Sequence, residues 1–162
     1  MHQLILLRHA EAQVRASSRR DIDRALTPLG QSSAARTGAA LAEAGITPQV
    51  VMVSNAVRAT ETWVAAQPSF PASASEIKPE LYNASASVIL KLACARAEGS
   101  VMVVGHNPGI QTLALELLRS QGASPATIAR VETRFPPATA AVFSFDGDER
   151  PTLQTLIMGG AG

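Results

Sequence analysis

Gln3-Leu4-Ile5-Leu6-Leu7-Arg8-His9-Ala10-Glu11 is the stretch from which the fold is read. Its four apolar residues, Leu4–Leu7, follow one another without alternation. A half-exposed strand alternates apolar with polar residues, so a short unbroken run indicates a strand buried on both faces. Val50–Val53 and Val101–Val104 repeat the pattern, and each stops abruptly, at Ser54-Asn55 and at Gly105-His106-Asn107-Pro108-Gly109. Helix signals lie between them. Thr27-Pro28-Leu29-Gly30 offers an N-cap threonine and a proline at the first helical position. That helix is expected to run to about Ala44, where Gly45 stops it. A second helix is expected from Ser54-Asn55 to about Gln67, a third from Ser85 or Ser87 to about Glu98, and a fourth from Gly109 to about Ser120. Pro71–Ser75 and Gly122–Pro137 read as loops, and Ala140–Phe145 and Thr152–Ile157 as two last strands around Asp146-Gly147-Asp148.

Strands alternating with helices predict an α/β fold: a three-layer α/β/α arrangement with a mainly parallel central sheet and one antiparallel edge strand. With 162 residues, a single domain over residues 1–158 is expected, followed by a flexible tail at 159–162. Charged residues make up 17% and the net charge is +1, which argues against a disordered charged tail and against a dedicated nucleic-acid binder. Aromatics at 4% are too few for a base-stacking platform. The single cysteine, Cys94, allows no internal disulfide and no multi-cysteine metal site, and it reads as a small buried hydrophobe. Apolar runs of four residues can neither span a bilayer, which takes about 20, nor form a signal-peptide core. The expectation is a monomeric cytoplasmic protein without membrane or nucleic-acid partners.

In open α/β sheets, ligands bind beyond the carboxyl ends of the strands. Those ends carry Arg8 and His9, then Ser54 with Arg58 one turn into the next helix, then His106. Each has a bland alternative: a histidine at a strand end is commonly structural, and an arginine on a helix commonly faces water. Their convergence on one rim, with helix N-termini behind, makes an anion site. Guanidinium forks bind phosphate oxygens bidentately, and a neutral histidine among them is a nucleophile toward phosphorus. Ser54 and Thr60 are candidate hydrogen-bond donors beside the phosphate, and Asn107 either touches phosphate or caps. Trp63 reads as core. The loop Gln13–Arg24 sets Arg15, Arg19, Arg20 and Arg24 against Asp21 and Asp23, and it either steers an acidic partner or is simply solvated. Gly105-His106-Asn107-Pro108-Gly109 is not a dinucleotide-binding glycine pattern and does not follow the first strand.

Five short motifs, in order over roughly residues 3–115, resemble the histidine phosphatase superfamily, whose fold is phosphoglycerate-mutase-like. Leu7-Arg8-His9-Ala10-Glu11 resembles its Arg-His-Gly signature, with alanine in the glycine's place as in the small SixA-like branch. Leu26-Thr27-Pro28-Leu29-Gly30 resembles its helix entry, and Ser54-Asn55-Ala56-Val57-Arg58-Ala59-Thr60-Glu61-Thr62 its Ser-x-x-x-Arg-Ala-x-x-Thr segment. Val104-Gly105-His106-Asn107-Pro108 resembles its second-histidine motif, and Pro79-Glu80-Leu81-Tyr82 the segment that often carries the acid.

The resemblance implies a phosphatase working through a phosphohistidine intermediate. His9 would be the nucleophile; Arg8, Arg58 and His106 would hold the phosphoryl oxygens; Glu80 would protonate the leaving group, with Asp21, Asp23 and Glu11 as rival acids. This scheme calls for no metal and no other cofactor. The implied substrate is a phosphorylated protein, such as a histidine phosphotransfer domain, or else a small phosphate ester. A non-catalytic phosphate- or phosphoprotein-binding module is the reading from another class. The short spans Pro68–Tyr82 and Gly122–Pro137 leave no insertion to enclose a small bisphosphate, which disfavours a mutase.

Overall fold

The computed structural model describes residues 1–145 and 150–160, so the turn expected at Asp146-Gly147-Asp148 lies outside the described residues. Six strands form one sheet: β1 (Gln3–Arg8), β2 (Val50–Val53), β3 (Ala74–Ile77), β4 (Ser100–Gly105), β5 (Ala140–Phe145) and β6 (Pro151–Ile157). Their order across the sheet is β3-β2-β4-β1-β5-β6. The first four strands run parallel, and β5 runs antiparallel to both its neighbours. Among the described residues five α-helices accompany them: α1 (Pro28–Glu43), α2 (Val57–Ala66), α3 (Ala86–Cys94), α4 (Gly109–Ser120) and α5 (Pro125–Thr133).

Side-chain alternation on the buried strands divides the core in two. Leu4, Leu6, Met52, Val101 and Val103 pack with Ile89 of α3, Ile110 and Leu113 of α4 and Val131 of α5. Ile5, Leu7, Val51, Val53, Met102 and Val104 face the other way, onto Leu41 of α1 and Trp63 of α2. Each strand residue is apolar because each face of the sheet is covered, which gives the three layers. Trp63 is core, stacked on Phe70 with ring centroids 6.2 Å apart.

Local chemistry sets the helix ends. The Thr27 hydroxyl accepts from the Gly30 N–H at 2.9 Å, and Pro28 opens α1. Gly30 has no room for a side chain, since a Cβ there would lie 2.0 Å from the Glu11 carbonyl oxygen. Gly109 is packed as tightly, with a Cβ position 2.1 Å from the Ala84 carbonyl oxygen, and this seats the start of α4.

Four expectations are corrected. The loop expected at Pro71–Ser75 gives way to β3, an edge strand that is mostly exposed and therefore lacks an apolar signature; pairing with β2 (Val50↔Ala74) makes it a strand. The irregular stretch Gly122–Pro137 contains α5, capped by the Ser124 hydroxyl accepting from the Thr127 N–H at 3.2 Å; only Val131 of this helix is fully buried, too little for a readable period. The helix capped by Ser85 ends at Cys94 rather than near Glu98, and Cys94 is exposed. At the start of the expected tail, 159–162, the Gly159 N–H donates to the Thr139 hydroxyl at 2.9 Å, which leaves that expectation as it stood; residues 161 and 162 lie outside the described residues. Among the described residues no helix is long and apolar enough to cross a membrane.

Candidate active site

The sheet order places the ends of β2, β4 and β1 side by side. Arg8 pairs in register with Gly105, the His9 N–H donates to the Gly105 carbonyl at 2.9 Å, and the Ser54 N–H donates to the Val104 carbonyl at 3.0 Å. His9 is also held from the far side, where its carbonyl accepts from the Ala138 N–H at 3.1 Å. Backbone pairing alone thus brings the two imidazoles together, with ring centroids 5.1 Å apart and planes tilted by 57°.

Two arginines flank them. Arg58, from the first turn of α2, is only 4% exposed. Its Nη1 donates to the Asp21 carbonyl at 2.8 Å and its Nη2 to the Asp21 carboxylate at 3.0 Å. Asp21 sits on a single 3-10 turn, Asp21–Asp23, and its carboxylate also accepts from Arg24 Nε at 2.9 Å and from the Tyr82 hydroxyl at 2.7 Å. The Tyr82 ring meets the His106 ring edge-on at 5.7 Å and lies 5.9 Å beneath the Arg58 guanidinium carbon. Arg8 Nη1 donates to the Phe135 carbonyl at 2.7 Å.

Among the described residues, Arg8 Nε, Arg58 Nε and His106 Nδ1 are buried without a hydrogen-bond partner. Buried polar atoms are paired almost everywhere in proteins. Three unpaired nitrogens around one pair of histidines therefore fit an anionic ligand with several acceptor oxygens. No three His, Cys, Asp or Glu side chains among the described residues cluster as metal ligands.

The profile of the histidine phosphatase superfamily (branch 1) matches residues 4–82. A SixA phosphohistidine phosphatase candidate from Agrobacterium tumefaciens is 30% identical, superposes with a TM-score of 0.83, and is matched over 96% of this chain and 97% of its own. A second SixA candidate, from Nakamurella multipartitia, is 31% identical with a TM-score of 0.81 over 99% and 97% of the two chains. The chain belongs to the histidine phosphatase superfamily. Its architecture is the phosphoglycerate-mutase-like one. It is also 31% identical over 120 residues to an uncharacterized chloroplastic protein of Arabidopsis thaliana, a match covering 66% of this chain and 55% of that relative.

The fold brings Arg8, His9, Arg58 and His106 together, and Ser54 with them: its hydroxyl lies 2.8 Å from His106 Nε2. Asn107 is turned to other partners, donating to Gln111 Oε1 at 2.9 Å and to the Phe135 carbonyl at 3.4 Å, while its Oδ1 is buried and unpaired. Thr60 instead donates to the Val57 carbonyl within its own helix. Glu80 is exposed on the turn Pro79–Leu81, and among the described residues its carboxylate has no hydrogen-bond or ion-pair partner. Asp23 is held by Arg20 and Ser18, and Glu11 by Thr27. Asp21 is thus the rival acid that the structure brings into contact with the cluster. Sequence reading missed Tyr82, Arg24 and Thr62. Thr62 accepts from the Ala10 N–H at 2.9 Å and donates to the Arg58 carbonyl at 2.7 Å, tying the segment after His9 to α2.

Burial sets the protonation of this cluster. It pushes the His9 pKa down to about 4, against the opposing hydrogen bond to the Ala10 carbonyl and with help from Arg58, Arg8 and Arg24. Burial and the positive charge of His9 and Arg58 bring His106 down to about 3. The Tyr82 hydroxyl, Arg58 and Arg24 hold Asp21 at about 2, overcoming its partial burial. At neutral pH both histidines are neutral and Asp21 is ionised. The Ala10 carbonyl can only accept, so His9 Nδ1, 2.7 Å away, carries the ring proton and Nε2 keeps the lone pair.

Proposed function

We propose that this chain is a SixA-like phosphatase that removes the phosphoryl group from phosphohistidine on a protein partner, such as a phosphotransfer domain, through a covalent intermediate on His9. The observation that carries the reading is the His9 tautomer: with Nδ1 tied to the Ala10 carbonyl, Nε2 is an unprotonated nucleophile in a site of guanidinium and N–H donors. The two SixA candidates at 30% and 31% identity support the same reading.

In the first step the Nε2 lone pair attacks phosphorus, and the bond from phosphorus to the substrate imidazole breaks with its electron pair going to that nitrogen; the substrate ring carries a proton on its other nitrogen, so it leaves as neutral imidazole. In the second, water attacks the phosphohistidine, releasing inorganic phosphate and neutral His9. Both transition states are loose, with charge spread over three oxygens, so positioning and electrostatics supply the rate. Arg8, Arg58 and His106 hold those oxygens. An arriving phosphoryl dianion raises the His106 pKa, because a neighbouring anion favours the charged form. Its unpaired Nδ1 then becomes an N–H donor to phosphate, while Nε2 stays with Ser54. These groups supply the positive charge, so the scheme calls for no metal or cofactor.

A phosphoramidate suits this site better than an alkyl ester. Among the described residues, the one carboxylate in contact with the cluster is Asp21, held ionised by Tyr82, Arg58 and Arg24, and an ionised carboxylate donates no proton to a leaving group. An imidazole that carries a proton on its far nitrogen leaves phosphorus as a neutral ring and needs no acid from the enzyme; an alkoxide needs one. Glu80 takes the acid role for esters in this scheme. The test compares phosphate release from a phosphohistidine-bearing phosphotransfer domain, an aryl phosphate and an alkyl phosphate, for wild type and Glu80→Gln. Fast release from the domain, with Glu80→Gln slowing only the alkyl ester, is the expected result. Release from the esters alone makes the protein a small-molecule phosphomonoesterase. Release from none, with phosphate still bound, makes it a binding module.

A further inference from the structure

We propose that the arginine loop between β1 and α1 is a docking surface for an acidic face of the phosphoprotein, beside its phosphohistidine; the inference rests on the phosphoprotein reading above. A cavity of about 720 Å³ opens in this loop, walled by Val14, Arg15, Arg19, Arg20, Asp21 and Arg24 among others. Asp21 belongs to both places, since it lines the cavity and bonds Arg58 in the phosphate site. A partner seated in the cavity therefore lies next to the group being cleaved.

The loop carries a net positive charge. Its four arginines outnumber its two aspartates, in a chain whose whole net charge is +1. Asp23 pairs with Arg20 and Ser18, and Asp21 with Arg24, Arg58 and Tyr82, so the unpaired charge of the loop rests on Arg15 and Arg19. Arg15 and Arg19 are exposed, and their guanidinium groups have no hydrogen-bond or ion-pair partner among the described residues. The loop is also preformed. Gln13 N–H donates to the Ala25 carbonyl at 2.8 Å, Arg24 Nη1 to the Gln13 carbonyl at 2.9 Å, and Arg19 N–H to the Ala16 carbonyl at 2.9 Å. A partner then binds with little further ordering of this chain.

The observations favour a protein over a small polyanion. Sites for small polyanions enclose their guanidinium forks, whereas the Arg20 side chain is 71% exposed. Val14 is 85% exposed in the same surface and offers a small apolar contact that a polyphosphate cannot use. Spread, exposed positive charge steers a large acidic partner over distance and raises the rate of encounter.

The experiment measures kcat/KM toward a phosphohistidine-bearing phosphotransfer domain with acidic residues around its histidine, an aryl phosphate and an aryl pyrophosphate. It compares wild type, Arg15→Glu/Arg19→Glu and the charge-retaining Arg15→Lys/Arg19→Lys. The proposal expects the reversed variant to lose about tenfold or more on the domain at low salt, a loss that shrinks with added salt. The aryl phosphate should stay within about twofold, and the lysine variant should keep the domain rate. Equal losses on the domain and the aryl phosphate would overturn it by making the loop part of the phosphate site. A loss on the aryl pyrophosphate as large as on the domain would overturn it in favour of a small-anion subsite. No loss on a domain that wild type hydrolyses would overturn it while leaving the phosphoprotein reading intact. A domain that wild type does not hydrolyse, beside an aryl phosphate that it does, would overturn both.

Discussion

Asp21 occupies both terminal nitrogens of Arg58: its backbone carbonyl accepts from Nη1 at 2.8 Å and its carboxylate from Nη2 at 3.0 Å. A phosphoryl group that takes up these terminal nitrogens, rather than the unpaired Nε alone, must share or displace this carboxylate. Asp21→Asn removes the competing negative charge while keeping an acceptor of the same size. Inorganic phosphate should then inhibit about fivefold more strongly, a gain of the size expected for one partly exposed charge contact. Weaker inhibition would mean that Asp21 serves to order Arg58 rather than to compete for it.

Arg58→Ala should cost about 3 kcal/mol in kcat/KM, the loss seen when one electrostatic donor to a transition state is removed. The loss should be the same on a phosphoprotein and on an aryl phosphate, because the phosphoryl group is common to both. An unchanged rate would place Arg58 outside the reaction.

The histidines make stability and activity depend on pH in a defined window. His9 and His106 titrate in the folded protein at about 4 and about 3, below their ordinary value of 6.5. The unfolded chain binds those protons first, so stability is fully present above about pH 6.5 and falls as the pH drops toward 4 and 3. Thermal unfolding followed across pH 8 to 4 should show a flat plateau and then this decline, and His106→Asn should flatten part of it. The acid limb of kcat/KM on an aryl phosphate, corrected for substrate ionisation, should lie near 4, since it reports the free enzyme. A limb at 6.5 would contradict the buried neutral His9.

Thr62 is fully buried between the Ala10 N–H and the Arg58 carbonyl. Thr62→Val keeps the shape and strands the Ala10 donor, at a cost of about 1–3 kcal/mol. Thr62→Ser should keep both hydrogen bonds and most of the stability. Denaturant unfolding that finds the valine variant as stable as wild type would refute this role.

What the sequence disclosed and what it hid have physical reasons. β1, β2 and β4 are covered on both faces, so their apolar runs stand out, and the polar residues that end them form the proposed site. β3 is an exposed edge strand, and α5 buries only Val131, so neither leaves a pattern to read. Asp21 lies 37 positions from Arg58 in a polar loop, and its place beside Arg58 and Tyr82 exists only once that loop folds over α2. The Asp21–Arg24 spacing, matched by a hydrogen bond across one 3-10 turn, was the available local hint. Glu80 follows from motif position alone, and the turn that carries it leaves its carboxylate in solvent.

The central claim is that phosphate passes through His9 Nε2. Rapid mixing with a phosphohistidine-bearing phosphotransfer domain, an alkaline quench and mapping of the phosphorylated residue test it most directly. The account predicts phosphate on His9, at Nε2 because Nδ1 is committed to the Ala10 carbonyl, and none in His9→Ala. Turnover without a phosphorylated His9, or phosphate found on His106 instead, would contradict it.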